Sequence, residues 1–131
     1  MTINLAGLEL TRPERTIHIL DKSNEKTGLS LLIRPDTDDE FIKIQRRATD
    51  RYASGKKISV RERREMGESL LMGRVSGWDW AGKALEVVEK APPFNSKNLK
   101  SVMYENGEQS AAIRKQVNEA LADEEDFSQA D

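Results

Sequence analysis

Residues 74–82 have the sequence Arg74-Val75-Ser76-Gly77-Trp78-Asp79-Trp80-Ala81-Gly82, and the rest of the chain is organised around them. A long amphipathic segment stops at Gly77, and both tryptophans of the protein follow at once. A packed tryptophan side chain buries roughly 150–250 Å². Because phenylalanine and tyrosine are scarce, Trp78 and Trp80 carry most of the aromatic area. They are therefore predicted to anchor a helical layer, either as core residues or as contacts for a partner.

The chain before this stretch predicts a β-hairpin over residues 16–33. Residues 16–20 alternate in the manner of a strand, and residues 29–33 form a second apolar run. The polar residues between the two runs are rich in turn formers. An isolated hairpin is only marginally stable, so this one must pack on helices or join other strands, which would leave an edge for a partner. Residues 1–14 carry no pattern that separates an extended arm from a short strand.

Four helices are predicted from apolar periodicity and capping signals, over about 37–53, 59–76, 96–106 and 108–122. The pairs Thr37/Glu40 and Ser59/Glu62 have the spacing of a capping box. Asn95 or Ser96 caps the third helix. The segment 79–91 predicts irregular or short helical structure, and the acidic residues 123–131 predict a disordered tail. The predicted fold is therefore mainly α within the α+β class, with an N-terminal hairpin and about four helices in one domain over 1–122.

The composition limits the function classes. The chain has 131 residues, a net charge of -2, and 34% charged against 37% hydrophobic residues, so its core is thin and its surface highly charged. The slight negative charge argues against a generally cationic nucleic-acid binder. The absence of cysteine excludes disulfides and thiolate metal sites. Because the sequence has no membrane-spanning run and no signal-peptide pattern, we expect a cytoplasmic protein without a membrane partner.

The sequence contains no convergent set of catalytic residues. His18 is the single histidine and lies in a predicted strand, where a surface or packing role is the simpler interpretation. The acidic run Asp36, Asp38, Asp39 and Glu40 lacks the glycine and the distal glutamate of a calcium loop, and helix capping explains it. We therefore expect no enzyme activity, no cofactor and no metal site.

A basic cluster surrounds the junction of the first two predicted helices. It comprises Arg46, Arg47, Arg51, Lys56, Lys57, Arg61, Arg63 and Arg64. Two capped helices with such a cluster make a helix-turn-helix-like nucleic-acid-binding regulator the alternative function. The linker is longer than the usual 3–4 residues, and acidic side chains alternate with the basic ones, which is more typical of a solvated face. The cluster is equally suited to docking an acidic partner.

Three motifs mark the boundaries of the predicted helices. Val75-Ser76-Gly77-Trp78 closes the second predicted helix, Pro93-Phe94-Asn95-Ser96-Lys97-Asn98-Leu99 opens another, and Arg34-Pro35-Asp36-Thr37-Asp38-Asp39-Glu40-Phe41 precedes the first. Together with the last amphipathic helix, this arrangement resembles the tail assembly chaperones of long-tailed (siphovirus-type) bacteriophages. The resemblance covers most of the chain, although its motifs are structural rather than chemical.

The resemblance implies a non-virion protein of the infected host cytoplasm that assists tail morphogenesis. Such chaperones bind the tape measure protein, keep its helical regions soluble, and help to recruit the tail tube protein. They are often made in a short form and in a form extended at the C-terminus by a translational frameshift, which would contact the tube protein. Self-association into a homo-oligomer is also expected, because hairpin edges and amphipathic helices favour it.

Apolar surface flanked by charge is what a binder of helical segments needs. Tryptophan and arginine are enriched at binding hot spots. Our candidates for contact with the client are Arg74, Trp78, Trp80, Leu85 and Val88.

Overall fold

A computed structural model of the chain describes residues 2–8, 14–53, 55 and 57–129. After a short 3-10 turn at Ala6–Leu8, the elements are β1 (Arg15–Leu20), β2 (Lys26–Ile33), α1 (Asp39–Ala53), α2 (Val60–Met72), β3 (Val75–Trp80), α3 (Gly82–Val88), α4 (Ser96–Tyr104) and α5 (Gly107–Gln129). The fold is α+β and predominantly helical, as the sequence predicts. The N-terminal turn lies in the region where the sequence carried no pattern, and residues 9–13 lie outside the described residues.

The contacts of the chain group into two compact units. The helical unit comprises Met1–Arg15 and Ile33–Ser76, and the sheet unit comprises Thr16–Leu32 and Gly77–Asp131. The grouping does not test whether the chain folds as a single domain over 1–122, so that expectation stays a prediction.

The predicted hairpin is confirmed, and it gains a third strand. The sheet has the order β1–β2–β3, so β1 and β3 are its edge strands. The hairpin turn is held by the Asp21 side chain, which accepts hydrogen bonds from the backbone N–H groups of Ser23 and Glu25 at 2.8 and 3.0 Å. These bonds stabilise the charged carboxylate and lower the pKa of Asp21 below its ordinary value, and the bond from Glu25 has the larger effect.

The second predicted helix ends earlier than expected, and it is followed by a strand, β3, that the sequence did not predict. The sequence predicted helix over 59–76, whereas α2 stops at Met72 and residues 75–80 form a strand. Gly73 is the C-cap residue of α2, and a Cβ there would lie 2.7 Å from the Ile44 side chain. Beyond it the backbone pairs antiparallel with β2: Arg34 N–H donates to Arg74 C=O at 2.6 Å, and Ala81 N–H donates to Gly28 C=O at 2.9 Å. This long-range pairing overrides the helical spacing of the apolar residues.

Two predicted helix caps are confirmed and one moves by a residue. The Ser59 hydroxyl accepts from Glu62 N–H at 3.1 Å, and the Asn95 side chain accepts from Asn98 N–H at 2.8 Å. At α1 the cap is Asp38 rather than Thr37, because its carboxylate accepts from the N–H groups of Glu40 and Phe41. An ionised cap at the positive end of the helix dipole is the stronger acceptor of the two.

The segment 79–91 is partly strand and partly a short helix, α3, which agrees with the helical alternative of the prediction. The last two helices also differ in length from the prediction, since α4 ends at Tyr104 and α5 extends to Gln129. Residues 123–129 are therefore helical in the structure, whereas the sequence predicts a disordered tail over 123–131. This region has no glycine or proline to stop a helix, and its glutamate and glutamine residues favour continuation.

The hairpin, α4 and α5 supply the buried apolar side chains of the sheet unit. Its buried apolar side chains are Ile19, Leu29, Leu31, Leu99, Met103 and Val117. The fully buried Ser110 hydroxyl donates to Val102 C=O at 2.6 Å and accepts from Asn106 N–H at 2.9 Å. Its polar atom is therefore satisfied in an apolar setting.

The helical unit has a smaller core. Ile33, Phe41 and Val75 are its buried large apolar side chains among the described residues. None of the residues of α2, all of which are described, is buried. No helix in the described ranges is both long and apolar enough to span a bilayer.

Candidate protein-binding surface

Trp78, Trp80 and Phe94 form one aromatic cluster in the sheet unit. The Trp78 and Trp80 ring centroids lie 5.5 Å apart with an interplanar angle of 86°, and those of Trp78 and Phe94 lie 5.2 Å apart at 87°. Both contacts are edge-to-face, the arrangement that places a positive ring edge on a negative ring face. Trp78 is therefore the centre of the cluster, with one aromatic neighbour on its own strand and one from a distant loop.

The Pro92-Pro93 segment holds Phe94 against Trp78. Trp78 Nε1–H donates to Pro92 C=O at 3.0 Å, and Asn98 Nδ2–H donates to Pro93 C=O at 2.8 Å. The two prolines restrict the backbone just before the α4 cap. Phe94 remains 38% exposed, so one face of the aromatic cluster is open to a partner.

Sequence reasoning missed Phe94 as a site residue. Its position between the double proline and the helix cap indicated that its backbone is restricted. The sequence could not show, however, that Trp78 would be its neighbour. That contact joins residues sixteen positions apart through a strand that was itself not predicted.

The tryptophans are half-buried rather than fully buried, so neither a pure core role nor a pure surface role describes them. Trp80 Nε1 is buried and has no hydrogen-bond partner among the described residues. An unsatisfied buried donor costs roughly 1–3 kcal/mol. The indole of Trp80 is thus held in place by packing alone, at a cost in stability.

The other predicted contact residues lie on α3 and in the helical unit. Leu85 and Val88 are half-buried on α3, and Val87 between them is 75% exposed. Arg74 belongs to the helical unit, where its guanidinium lies 4.9 Å from the centroid of the Phe41 ring and its Nε–H donates to Arg34 C=O at 3.0 Å. Both contacts lie within the helical unit. They indicate a structural role for Arg74 in that unit.

The basic cluster of α1 and α2 is exposed but partly neutralised. Arg51 pairs with Glu62, and Arg61 pairs with Glu65 at 3.1 Å. Within the described residues no ion pair is made by five exposed cations of the cluster, namely Arg46, Arg47, Lys57, Arg63 and Arg64. Lys56 lies outside the described residues. The cluster therefore retains cationic surface that is available for an anionic partner.

The ion pair between α1 and α2 gives a pH-dependent prediction. Arg51, by hydrogen bond and by charge, lowers the pKa of Glu62 below its ordinary value. Since the folded pKa is lowered, the stabilisation is present above the unfolded pKa and is lost as the pH falls through the folded pKa. We expect a carboxyl NMR titration of Glu62 to show the lowered midpoint, and Arg51→Gln to raise that midpoint. An unchanged midpoint in Arg51→Gln would show that the pair does not persist in solution, as is common at exposed sites.

Comparisons with protein families, curated proteins and solved structures find no match for this chain. Within the described residues no group of three or more histidine, cysteine, aspartate or glutamate side chains is placed to hold a metal ion. The features that distinguish the described surface are half-buried aromatic rings in the sheet unit and, in the helical unit, cations that make no ion pair within the described residues.

Proposed function

We propose that this protein is a non-catalytic tail assembly chaperone of a long-tailed bacteriophage, which binds the tape measure protein and keeps it soluble during tail assembly. The observation that carries the proposal is the open aromatic cluster, in which Trp78 and Trp80 are half-buried and Phe94 is 38% exposed. Aromatic rings that are already fixed in place bind apolar side chains with little loss of conformational entropy.

The client in this proposal is an amphipathic helical segment. Such a segment presents apolar side chains at helical spacing, and a partly open aromatic surface accepts them as anchors. Charged residues make up 34% of the chain, so the surface around the cluster favours solubility over self-aggregation. The exposed cations of α1 and α2 supply a second contact for acidic residues of the client and speed its association.

The proposal extends to the place of action. The chaperone acts in the cytoplasm of the infected host, leaves no copy in the mature virion, and brings the tail tube protein to the tape measure protein. Recruitment of the tube protein is assigned to a form extended at the C-terminus by frameshifting. That step rests on the family resemblance alone.

The proposal is tested by co-expressing the chain with the phage's tape measure protein and measuring soluble complex by affinity capture and light scattering. We expect the wild type to keep the tape measure protein soluble and to co-purify with it. Phe94→Ala is expected to reduce the captured complex by about tenfold, because loss of one hot-spot aromatic typically costs about 1–2 kcal/mol or more.

The matched control is Val60→Ala, which truncates an α2 side chain that is 83% exposed. Val60 belongs to the helical unit, whereas the aromatic cluster belongs to the sheet unit. It should leave capture unchanged. Equal capture by wild type and Phe94→Ala would remove the aromatic cluster from the binding surface. Failure of the wild type to bind the tape measure protein would contradict the chaperone function itself.

A nucleic-acid-binding regulator is the second candidate, and the five cations of the basic cluster that make no ion pair within the described residues are the observation that favours it. A labelled DNA duplex at physiological salt tests it in parallel. Binding that weakens steeply with salt and is lost in Arg46→Ala/Arg47→Ala would support this candidate, since phosphate contacts release counterions. We expect no such binding, because acidic side chains share the same helices.

A further inference from the structure

The outer edge of β1 is partly occupied by a side chain of α5. Leu20 N–H donates to Gln116 Oε1 at 2.8 Å, and Gln116 Nε2–H donates to Leu20 C=O at 2.9 Å. One amide side chain thus provides both partners that a neighbouring strand would offer at this position. The backbone groups of Leu20 must therefore point away from β2.

The strand geometry fixes which other groups of β1 point outward. The neighbours of Leu20 point inward, because Ile19 C=O accepts from the Thr27 hydroxyl at 2.8 Å and Asp21 N–H donates to Glu25 C=O at 2.8 Å. Backbone N–H and C=O groups alternate sides along an edge strand. The groups of Thr16 and His18 therefore point outward, as those of Leu20 do.

Among the described residues, nothing occupies this part of the edge with a backbone hydrogen bond. Thr16 and His18 are exposed, and Ile17 between them is half-buried. Within the described residues, no backbone hydrogen bond from outside the sheet reaches Thr16 or His18. β1 also contains neither proline nor lysine, the residues that commonly protect such edges.

We propose that β1 pairs antiparallel with β1 of a second copy of this chain, forming a dimer with a continuous six-stranded sheet. The favoured register places Ile17 opposite Ile17 of the partner, so that Thr16 of each copy exchanges backbone hydrogen bonds with His18 of the other. This register uses only the outward groups that are open. A register centred on His18 would require Leu20, whose groups Gln116 already holds.

The same register would complete the burial of Ile17, which is half-buried in the single chain. Ile17 and Ile19 lie on the same face of β1, because side chains two residues apart share a face, and Ile19 is buried in the core. Pairing would bury the two Ile17 side chains against each other at the sheet centre. Since the contact is twofold symmetric, it closes at two copies and does not propagate into a fibre.

The test uses the absence of natural cysteine in the chain. In the proposed register Ile17 forms a non-hydrogen-bonded pair with its counterpart, with Cα atoms about 4.5 Å apart, which is within the range that a disulfide spans. We expect Ile17→Cys to form a reducible cross-linked dimer under mild oxidation. Lys22→Cys, in the exposed hairpin turn, is the matched control for random collision and should form far less. Equal cross-linking of both variants, or none at Ile17→Cys, would overturn the proposal.

A second measurement does not depend on a cysteine. His18→Pro removes an outward N–H from each copy, and an edge strand tolerates proline at such a position. It should raise the dissociation constant of the dimer by about tenfold or more in analytical ultracentrifugation, whereas His18→Ala, which keeps the N–H, should not. A wild-type chain that stays monomeric at high concentration, or a folded His18→Pro variant that dimerises normally, would show that β1 is not the contact.

Discussion

Replacing Gly28 with alanine is expected to lower the free energy of unfolding by about 2–5 kcal/mol. Gly28 has φ of +97°, a region that side chains disfavour, and a Cβ would lie 1.8 Å from the carbonyl oxygen of Ala81. The close approach exists because Ala81 N–H donates to Gly28 C=O at the end of the β2–β3 pair. Backbone atoms cannot move aside as a flexible side chain can, so the strand pair itself must open. Urea denaturation followed by circular dichroism measures the loss.

Two other glycines separate the contributions to this effect. Gly55 has φ of +72°, but no described atom lies within 4 Å of the position that a Cβ would take, so Gly55→Ala should cost only the conformational part, about 1 kcal/mol. Gly67 lies within α2, and no described atom lies within 4 Å of the position that a Cβ would take, so Gly67→Ala should stabilise the protein by roughly 0.5–1 kcal/mol. If Gly28→Ala cost no more than Gly55→Ala, the close approach of β2 and β3 would be wrong.

Features that depend on neighbouring residues were predictable from the sequence. The hairpin follows from two apolar runs around a polar turn, and the caps at Ser59 and Asn95 follow from side chains that reach a backbone N–H three residues on. These interactions need no knowledge of the rest of the fold. For the same reason, the one misplaced cap, Asp38 for Thr37, differs by a single residue.

Features that depend on distant residues were not predictable in this way. The apolar spacing up to Val75 fits a helix and carries no sign that β2 will be there to pair with it. The local signal was Gly73, the C-cap residue of α2, but the sequence could not show that a Cβ there would meet the Ile44 side chain at 2.7 Å. Without an adjacent strand in view, Gly77 was the more conspicuous stop, and the first two residues of β3 were assigned to the second helix.

In the candidate site, too, features set by neighbouring residues were predictable and features set by distant residues were not. Trp78 and Trp80 were identified from the sequence because they are the two tryptophans of the chain and lie two positions apart. Phe94 joins them only through tertiary structure, and Arg74, although close to them in sequence, makes its described contacts with Arg34 and Phe41 in the helical unit. Nearness in sequence is thus a poor guide to membership of a binding surface at the end of a strand.

Removing the centre of the aromatic cluster, by Trp78→Ala, is expected to lower the free energy of unfolding by about 2–4 kcal/mol, because truncating a buried tryptophan costs about 3–5 kcal/mol. Trp78 is half-buried, which reduces the loss. The variant also loses the hydrogen bond to Pro92 and both edge-to-face contacts. Thermal unfolding monitored by circular dichroism measures the effect, and the remaining Trp80 reports locally through its fluorescence.

The size of this effect relative to Phe94→Ala distinguishes packing from binding. Trp78→Phe keeps a ring at the centre but loses the donor to Pro92, so it should cost about 1 kcal/mol for the hydrogen bond plus a small loss of buried area. Phe94→Ala removes a partly exposed ring and should cost less stability than Trp78→Ala.

A cluster that serves only the core would give a loss of client binding proportional to the loss of stability across all three variants. A cluster that binds the client would show Phe94→Ala with nearly normal stability and strongly reduced capture, because its exposed face contributes to the contact and little to the fold.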